Sequence, residues 1–221
     1  MINGLDRVDT FLHKGKRKKL IELLRQKGCT DENVLAAMDK VPRHAFLDSA
    51  FLNFAYDDEA FPIGEGQTIS HPSTVAYQTE LLKLNKTDKV LEIGTGCGYQ
   101  TAVLLEMGVK VFTIERQQKL YEKTKVLLPR LGYTARFFYG DGYEGLINHA
   151  PFDKIIVTAA APYPPDALLK QMAVGAIMVI PMGKGSEQIM NIIVKKSATQ
   201  FDRSELGKYK FVPMVKSKSG Y

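Results

Sequence analysis

Cysteine is scarce in this chain. Its 221 residues include two, Cys29 and Cys97, far apart and in no CxxC or CxxH pairing. A disulfide framework and a zinc site are therefore not expected, no metal is assigned, and a reducing, cytoplasmic setting is the default. No stretch approaches the ~20 apolar residues that span a bilayer, so no membrane partner is expected. The N-terminal charges are not followed by an apolar core, and no secretory signal is read. A hydrophobic fraction of 45% sets aside disordered and fibrous classes. The length fits one well-sized domain with a peripheral extension.

What is abundant is positive charge, a formal +6. Seven basic side chains lie in 14–27 against Glu22 alone, and seven more in 195–221 against Asp202 and Glu205. The rest of the chain is thus net acidic. Basic runs confined to the two ends read as solvated faces or tails, not as a phosphate groove. No nucleic-acid partner is expected, and the chain is read as a monomer.

Periodicity predicts a helix over 15–28 with Leu20, Leu23 and Leu24 on its apolar stripe. A second starts at Thr30–Asp31 and ends at Val41-Pro42. Residues 46–67 are rich in aromatics without clear period and read as an irregular cover. From Pro72 the pattern becomes regular: a helix at 72–84, a strand at 89–93, a glycine loop, and a helix to Met107. Then follow a strand at 109–114, a helix at 117–131, strands at 135–139 and 153–158, a helix at 165–172, and a strand at 176–180. Two strands near 188–196 and 207–212 close the chain with no helix between them. The expected class is α/β: a Rossmann-like, doubly wound, mostly parallel sheet with an antiparallel edge hairpin and an N-terminal helical extension. Residues 1–70 would form the extension and substrate loop, and 71–221 the core, of a single domain.

The loop Gly94-Thr-Gly-Cys-Gly98 follows a strand and opens a helix, the context in which a glycine pattern carries meaning. A helix start offers free N–H groups, and glycine lets a ligand approach the backbone. A tight strand-to-helix turn is the alternative. A dinucleotide fingerprint needs a small residue at 99, where Tyr99 stands; the spacing of Gly94, Gly96 and Gly98 is the form seen in adenosylmethionine enzymes. Glu115 ends the next strand, where a carboxylate accepts from both ribose hydroxyls. Asp141-Gly142 ends the third strand: Asp141 suits an adenine amino group while Gly142 keeps the floor open, or the pair is a plain turn. Glu92 sits inside an apolar strand and needs a partner, either a cofactor ammonium or a backbone or water group.

Beyond spacing, Val90-Leu-Glu-Ile-Gly-Thr-Gly-Cys-Gly-Tyr-Gln-Thr-Ala102 resembles the cofactor block of the protein-L-isoaspartate methyltransferase family. Val41-Pro-Arg-His44, Gly66-Gln-Thr-Ile-Ser70, the run 152–161, Ile180-Pro-Met-Gly183, Glu205-Leu-Gly207 and Phe211-Val-Pro213 are similar to further blocks of it, in order, over nearly the whole chain. The resemblance implies methyl transfer from S-adenosyl-L-methionine to the α-carboxylate of L-isoaspartyl residues in damaged proteins and peptides. It implies Ser70 as the active-site residue beside that carboxylate. Thr68 and Ile69 shape the same loop, and Val212 lies in a segment that holds the substrate backbone. From residue chemistry alone, Ser70 is equally a cap for the helix opened by Pro72.

His71 and Cys97 depart from the family pattern, the latter raising oxidation sensitivity. Two other functions compete. A nucleic-acid methyltransferase would carry an acid or amide before Pro-Pro and an aromatic after it; the run 158–166 has neither. A non-catalytic adenosylmethionine-binding module would not need Ser70.

Overall fold

The computed structural model describes residues 8–215. Helix α1 (Phe11–Gln26) begins four residues before the periodicity suggests. A capping box sets that start: the Thr10 hydroxyl accepts from the His13 amide, and the His13 ring accepts from the Thr10 amide. Helix α2 (Glu32–Lys40) is capped by the Asp31 carboxylate, which accepts from the Asn33 and Val34 amides. It stops before Pro42, whose ring cannot continue a helix.

The segment read as irregular contains two 3₁₀ turns, Arg43–Phe46 and Ser49–Phe54, and an antiparallel hairpin of β1 (Phe61–Gly64) and β2 (Gln67–Ile69). Its alternation is real but short: Phe61, Ile63 and Ile69 face inward. Helix α3 (Pro72–Leu81) then leads into the sheet.

Strands β3 (Lys89–Ile93), β4 (Lys110–Glu115), β5 (Arg136–Tyr139), β6 (Phe152–Val157), β7 (Met172–Met182), β8 (Gln188–Lys195) and β9 (Phe201–Tyr209) form one sheet in the order β5-β4-β3-β6-β7-β8-β9. The five strands from β5 to β7 pair in parallel, whereas β7–β8 and β8–β9 are antiparallel. Helices α4 (Tyr99–Glu106), α5 (Gln118–Arg130) and α6 (Asp166–Gln171) connect them. Leu91 and Ile93 enter one core with Leu168 of α6, while Val90 enters another with Leu104 of α4, so β3 is buried on both faces. The N-terminal helices share a core with α4 and α5 through Leu24, Leu35, Tyr99 and Leu128.

One expected strand is corrected. The last strand runs over 201–209, not 207–212, because Phe201 pairs with Lys195 and the ladder proceeds from there. Its polar, exposed sequence concealed it from an apolar-run reading. Residues after Tyr209 leave the sheet: Pro213 bridges to Ala160, with the Ala160 amide donating to the Val212 carbonyl at 2.8 Å. The Lys216-Ser-Lys218 tail lies outside the described residues.

Candidate cofactor and substrate cleft

Chain order reverses between β3 and β6, and the crevice beyond the carboxyl ends of these strands is where open α/β sheets bind ligands. A cleft of about 880 Å³, open to solvent, occupies that position. The glycine loop, the end of β4, Ser70 and its neighbours, and the C-terminal segment 212–215 all line it.

The loop is pinned from several sides. The Gly94 amide donates to the Ile114 carbonyl at 2.9 Å. The Thr158 hydroxyl lies within hydrogen-bond distance of the Ile93 and Gly94 carbonyls, at 2.9 and 2.8 Å. Thr124 of α5 donates to the Gly96 carbonyl at 2.7 Å. At Gly94 a Cβ would meet the Thr158 hydroxyl at 2.5 Å, and at Gly142 one would meet the Ile93 side chain at 2.5 Å and Met214 at 3.1 Å. These residues keep the cleft floor bare because no side chain fits there.

Glu115 is held by the loop it serves. Its Oε2 accepts from the Gly96 amide and its Oε1 from the Gln117 amide, each at 2.8 Å. A carboxylate has about four acceptor positions, so two oxygens oriented this way retain capacity for a pair of ligand hydroxyls. This donor set, an oriented carboxylate beside bare glycine backbone, fits a nucleoside cofactor.

The residues singled out from sequence divide into two groups. Thr68, Ile69, Ser70, Gly94, Gly96, Glu115, Gly142 and Val212 line the one cleft. Glu92, Gly98 and Asp141 are not among its lining residues. Gly98 is the left-handed N-cap of α4, at φ 91°, and a Cβ there would press on Thr124 and Leu128 of α5 at 2.7 and 2.9 Å. Its visible task is helix packing. Glu92 is fully buried and takes the Thr101 hydroxyl at 2.5 Å. Burial pushes its carboxyl up to about 8, against hydrogen bonds from Thr101 and Thr113. Asp141 accepts from the Tyr143 amide at 2.9 Å, so the turn reading of Asp141-Gly142 is realised whatever else the carboxylate does.

Ser70 does not cap α3; His71 is the N-cap residue, and no side chain bonds there. Cys97 lines the cleft, but burial pushes its thiol up to about 11. A protonated thiol is a poor nucleophile, which works against the expected oxidation sensitivity. Thr158, Gln100, Arg116 and Met214 also line the cleft and were not anticipated. The signal for Thr158 was its place directly after the apolar run 152–157; the others depend on strand order and on the path of the C-terminal segment. Among the described residues, Asp9, His13 and His44 are grouped closely enough to hold an ion, but Asp9 already grips Arg17 through both oxygens at 2.9 and 3.0 Å.

Known proteins bear on this arrangement. The family model of protein-L-isoaspartate(D-aspartate) O-methyltransferase matches residues 15–219. A protein-L-isoaspartate O-methyltransferase of Cytophaga hutchinsonii is 58% identical over 94% of this chain and 94% of its own length. One from Flavobacterium psychrophilum is 56% identical over 96% of this chain and 99% of its own. A solved protein-L-isoaspartate O-methyltransferase superposes with a TM-score of 0.81 at 30% identity, covering 89% of this chain and 65% of that one. A Plasmodium falciparum protein solved with S-adenosyl-L-homocysteine shares the fold, with a TM-score of 0.79 at 24% identity over 91% of this chain and 99% of that one. With its family model matched from α1 to the C-terminal segment, this chain belongs to the protein-L-isoaspartate(D-aspartate) O-methyltransferase family.

Proposed function

We propose that this chain repairs damaged proteins by methylating the α-carboxylate of L-isoaspartyl residues, with Ser70 as the catalytic contact and S-adenosyl-L-methionine as methyl donor. One observation carries the reading: Ser70 and the glycine loop with Glu115 line a single cleft. That shared lining supports a substrate carboxylate meeting a methyl donor there.

The cofactor supplies an electrophilic sulfonium methyl. Glu115 would accept from the two ribose hydroxyls, Asp141, at the turn beside the cleft-lining Gly142, would serve the adenine amino group, and bare backbone at Gly94, Gly96 and Gly142 would admit the ligand. Gly98 supports the loop by packing, and Glu92 supports it from below through Thr101. On the substrate side the Ser70 hydroxyl donates to the α-carboxylate, Thr68 and Ile69 shape the wall, and Val212 lies against the substrate backbone.

An α-carboxyl has a pKa of ~3.5 and is ionised at neutral pH, so no general base is required. The bound cofactor would supply its methyl to a carboxylate oxygen, the methyl–sulfur bond being given up for the new carbon–oxygen bond, with a neutral thioether and a methyl ester as products. That ester closes to a succinimide with loss of methanol, and water reopens the ring in part to normal aspartate. The protein's contribution is in-line positioning and exclusion of water.

The enzyme is read as a cytoplasmic monomer without nucleic-acid partners. No described helix is long and apolar enough to cross a membrane, and both cysteines are free and buried.

The test is methyl transfer from labelled S-adenosyl-L-methionine to paired peptides carrying L-isoaspartate or normal L-aspartate. Base-labile label on the isoaspartyl peptide alone is expected. Cofactor binding with label on neither peptide would reject the repair reading.

A further inference from the structure

Arg43 is the largest fully buried side chain in the described structure. Its Nη2 donates to the Glu59 carbonyl at 3.0 Å and to the Ser70 carbonyl at 2.9 Å. Its guanidinium lies 4.8 Å from the centre of the Tyr99 ring, the first residue of α4 after the glycine loop. Nε and Nη1 are buried with no hydrogen-bond partner. Asp58, whose charge reaches it, is already held by Lys27 at 2.6 Å and the Ser73 amide at 2.7 Å.

A buried guanidinium without a dedicated carboxylate is an expensive way to tie down two carbonyls. An apolar residue with a rearranged loop would hold the fold without desolvating a charge. Burial lowers the Arg43 pKa against the opposing pull of Tyr99, Cys97 and Asp58, so a net cost of burying the charge remains. The placement suggests what does offset it. Arg43 sits behind the cleft wall, not in it, and touches Ser70 on one side and Tyr99 on the other. Both of those residues line the cleft.

We propose that Arg43 is a positioning residue for methyl transfer: it locks the Ser70 backbone against the helix that follows the glycine loop, and its charge, which has no directly paired carboxylate, favours an anionic substrate at that wall. The inference rests on the assignment of Ser70 to the substrate side. The carboxylate that balances the buried cation is then the one brought by the isoaspartyl residue. Tyr99, edge-on to Phe46 at 5.6 Å, supplies the rigid face against which the guanidinium stacks.

The experiment measures steady-state kinetics of R43Q, R43K, S70A and the S70A/R43Q double variant, varying isoaspartyl peptide and S-adenosyl-L-methionine separately. The folded fraction is counted from the stoichiometry of S-adenosylhomocysteine binding. R43Q is expected to lower kcat/KM for peptide on the order of 30-fold, the scale of a lost hydrogen bond from a charged donor. KM for the cofactor stays within about twofold. R43K recovers part of the peptide KM by restoring the charge, but not kcat, because an ammonium lacks the planar fork. In the S70A background R43Q costs less than about threefold, since residues acting as a unit are not additive.

Equal loss of cofactor and peptide affinity in R43Q, or full additivity with S70A, overturns the inference in favour of a purely structural arginine. An impaired S70A beside an unaffected R43Q sinks it alone. An S70A enzyme with wild-type turnover sinks the Ser70 assignment and this inference with it. Should R43Q not fold, R43K decides: wild-type peptide kinetics there would exclude the positioning role.

Discussion

Replacing Glu115 with alanine removes a carboxylate that holds the glycine loop and, in the proposed role, receives the ribose. It accepts from the Gly96 and Gln117 amides at 2.8 Å each, and it is 6% exposed at the edge of the cleft. Each hydrogen bond to a charged acceptor contributes ~1.5–3 kcal/mol, and each amide left unpaired costs ~1–3 kcal/mol unless water reaches it. Water does reach an open cleft, so the larger effect falls on the ligand. Two lost ribose contacts, partly replaced by water, amount to about 3 kcal/mol, or on the order of 100-fold in Kd. E115Q separates the jobs. Its amide offers one acceptor where two N–H groups point, so an NH₂ must face an amide N–H, and the loop is disturbed even though volume is kept. We expect E115Q to weaken binding by about tenfold and E115A by more. Calorimetric titration with S-adenosylhomocysteine reads this directly. A Kd within twofold of wild type in folded E115A would refute the ribose assignment.

Three further outcomes are expected. Gly98→Ala should destabilise by ~2–4 kcal/mol, combining a left-handed residue with overpacking against Thr124 and Leu128. Gly132→Ala, at φ 86° with no heavy atom within 4 Å, should lose only the backbone share, and equal denaturation midpoints for the two would disprove the packing role. For Glu92, burial raises the folded pKa to about 8, above the ordinary carboxyl value of 4.5, so its stability contribution is complete below the unfolded pKa and lost as pH rises through 8. E92Q, which cannot ionise, should flatten the fall in denaturant stability between pH 5 and 8.5; an unchanged slope would count against a protonated Glu92. Cys29 and Cys97, both raised to about 11, should resist a thiol reagent at pH 7.5 until the protein unfolds. Rapid reaction of one equivalent in the native state would contradict that.

The chain's own order of residues was enough for the parallel core. Apolar runs at 89–93, 109–114 and 153–158, alternating with helix signals, read as strands buried on both faces of a parallel sheet. The glycine loop and Glu115 were legible for a related reason: a strand, a bare turn and an acid on the next strand are local features whose geometry follows from spacing. Ser70 was legible only through resemblance, because a serine two residues before a proline has an ordinary capping explanation. Tertiary structure removed the capping explanation by making His71 the N-cap residue, and it sets Ser70 among the residues that line the cleft. It also decided what local pattern could not reach. The hairpin at 61–69 is too short for its alternation to stand out, and β9 is recognised by its ladder with β8 rather than by hydrophobicity. Gly98 and Glu92 lie in the cofactor block by sequence, yet one packs against α5 and the other against Thr101. Arg43, 27 positions before Ser70, meets it only because the N-terminal cover folds over the cleft. Spacing along the chain fixes which residues share a strand or a turn; which side of a packed wall each one faces is set by contacts between segments far apart in sequence.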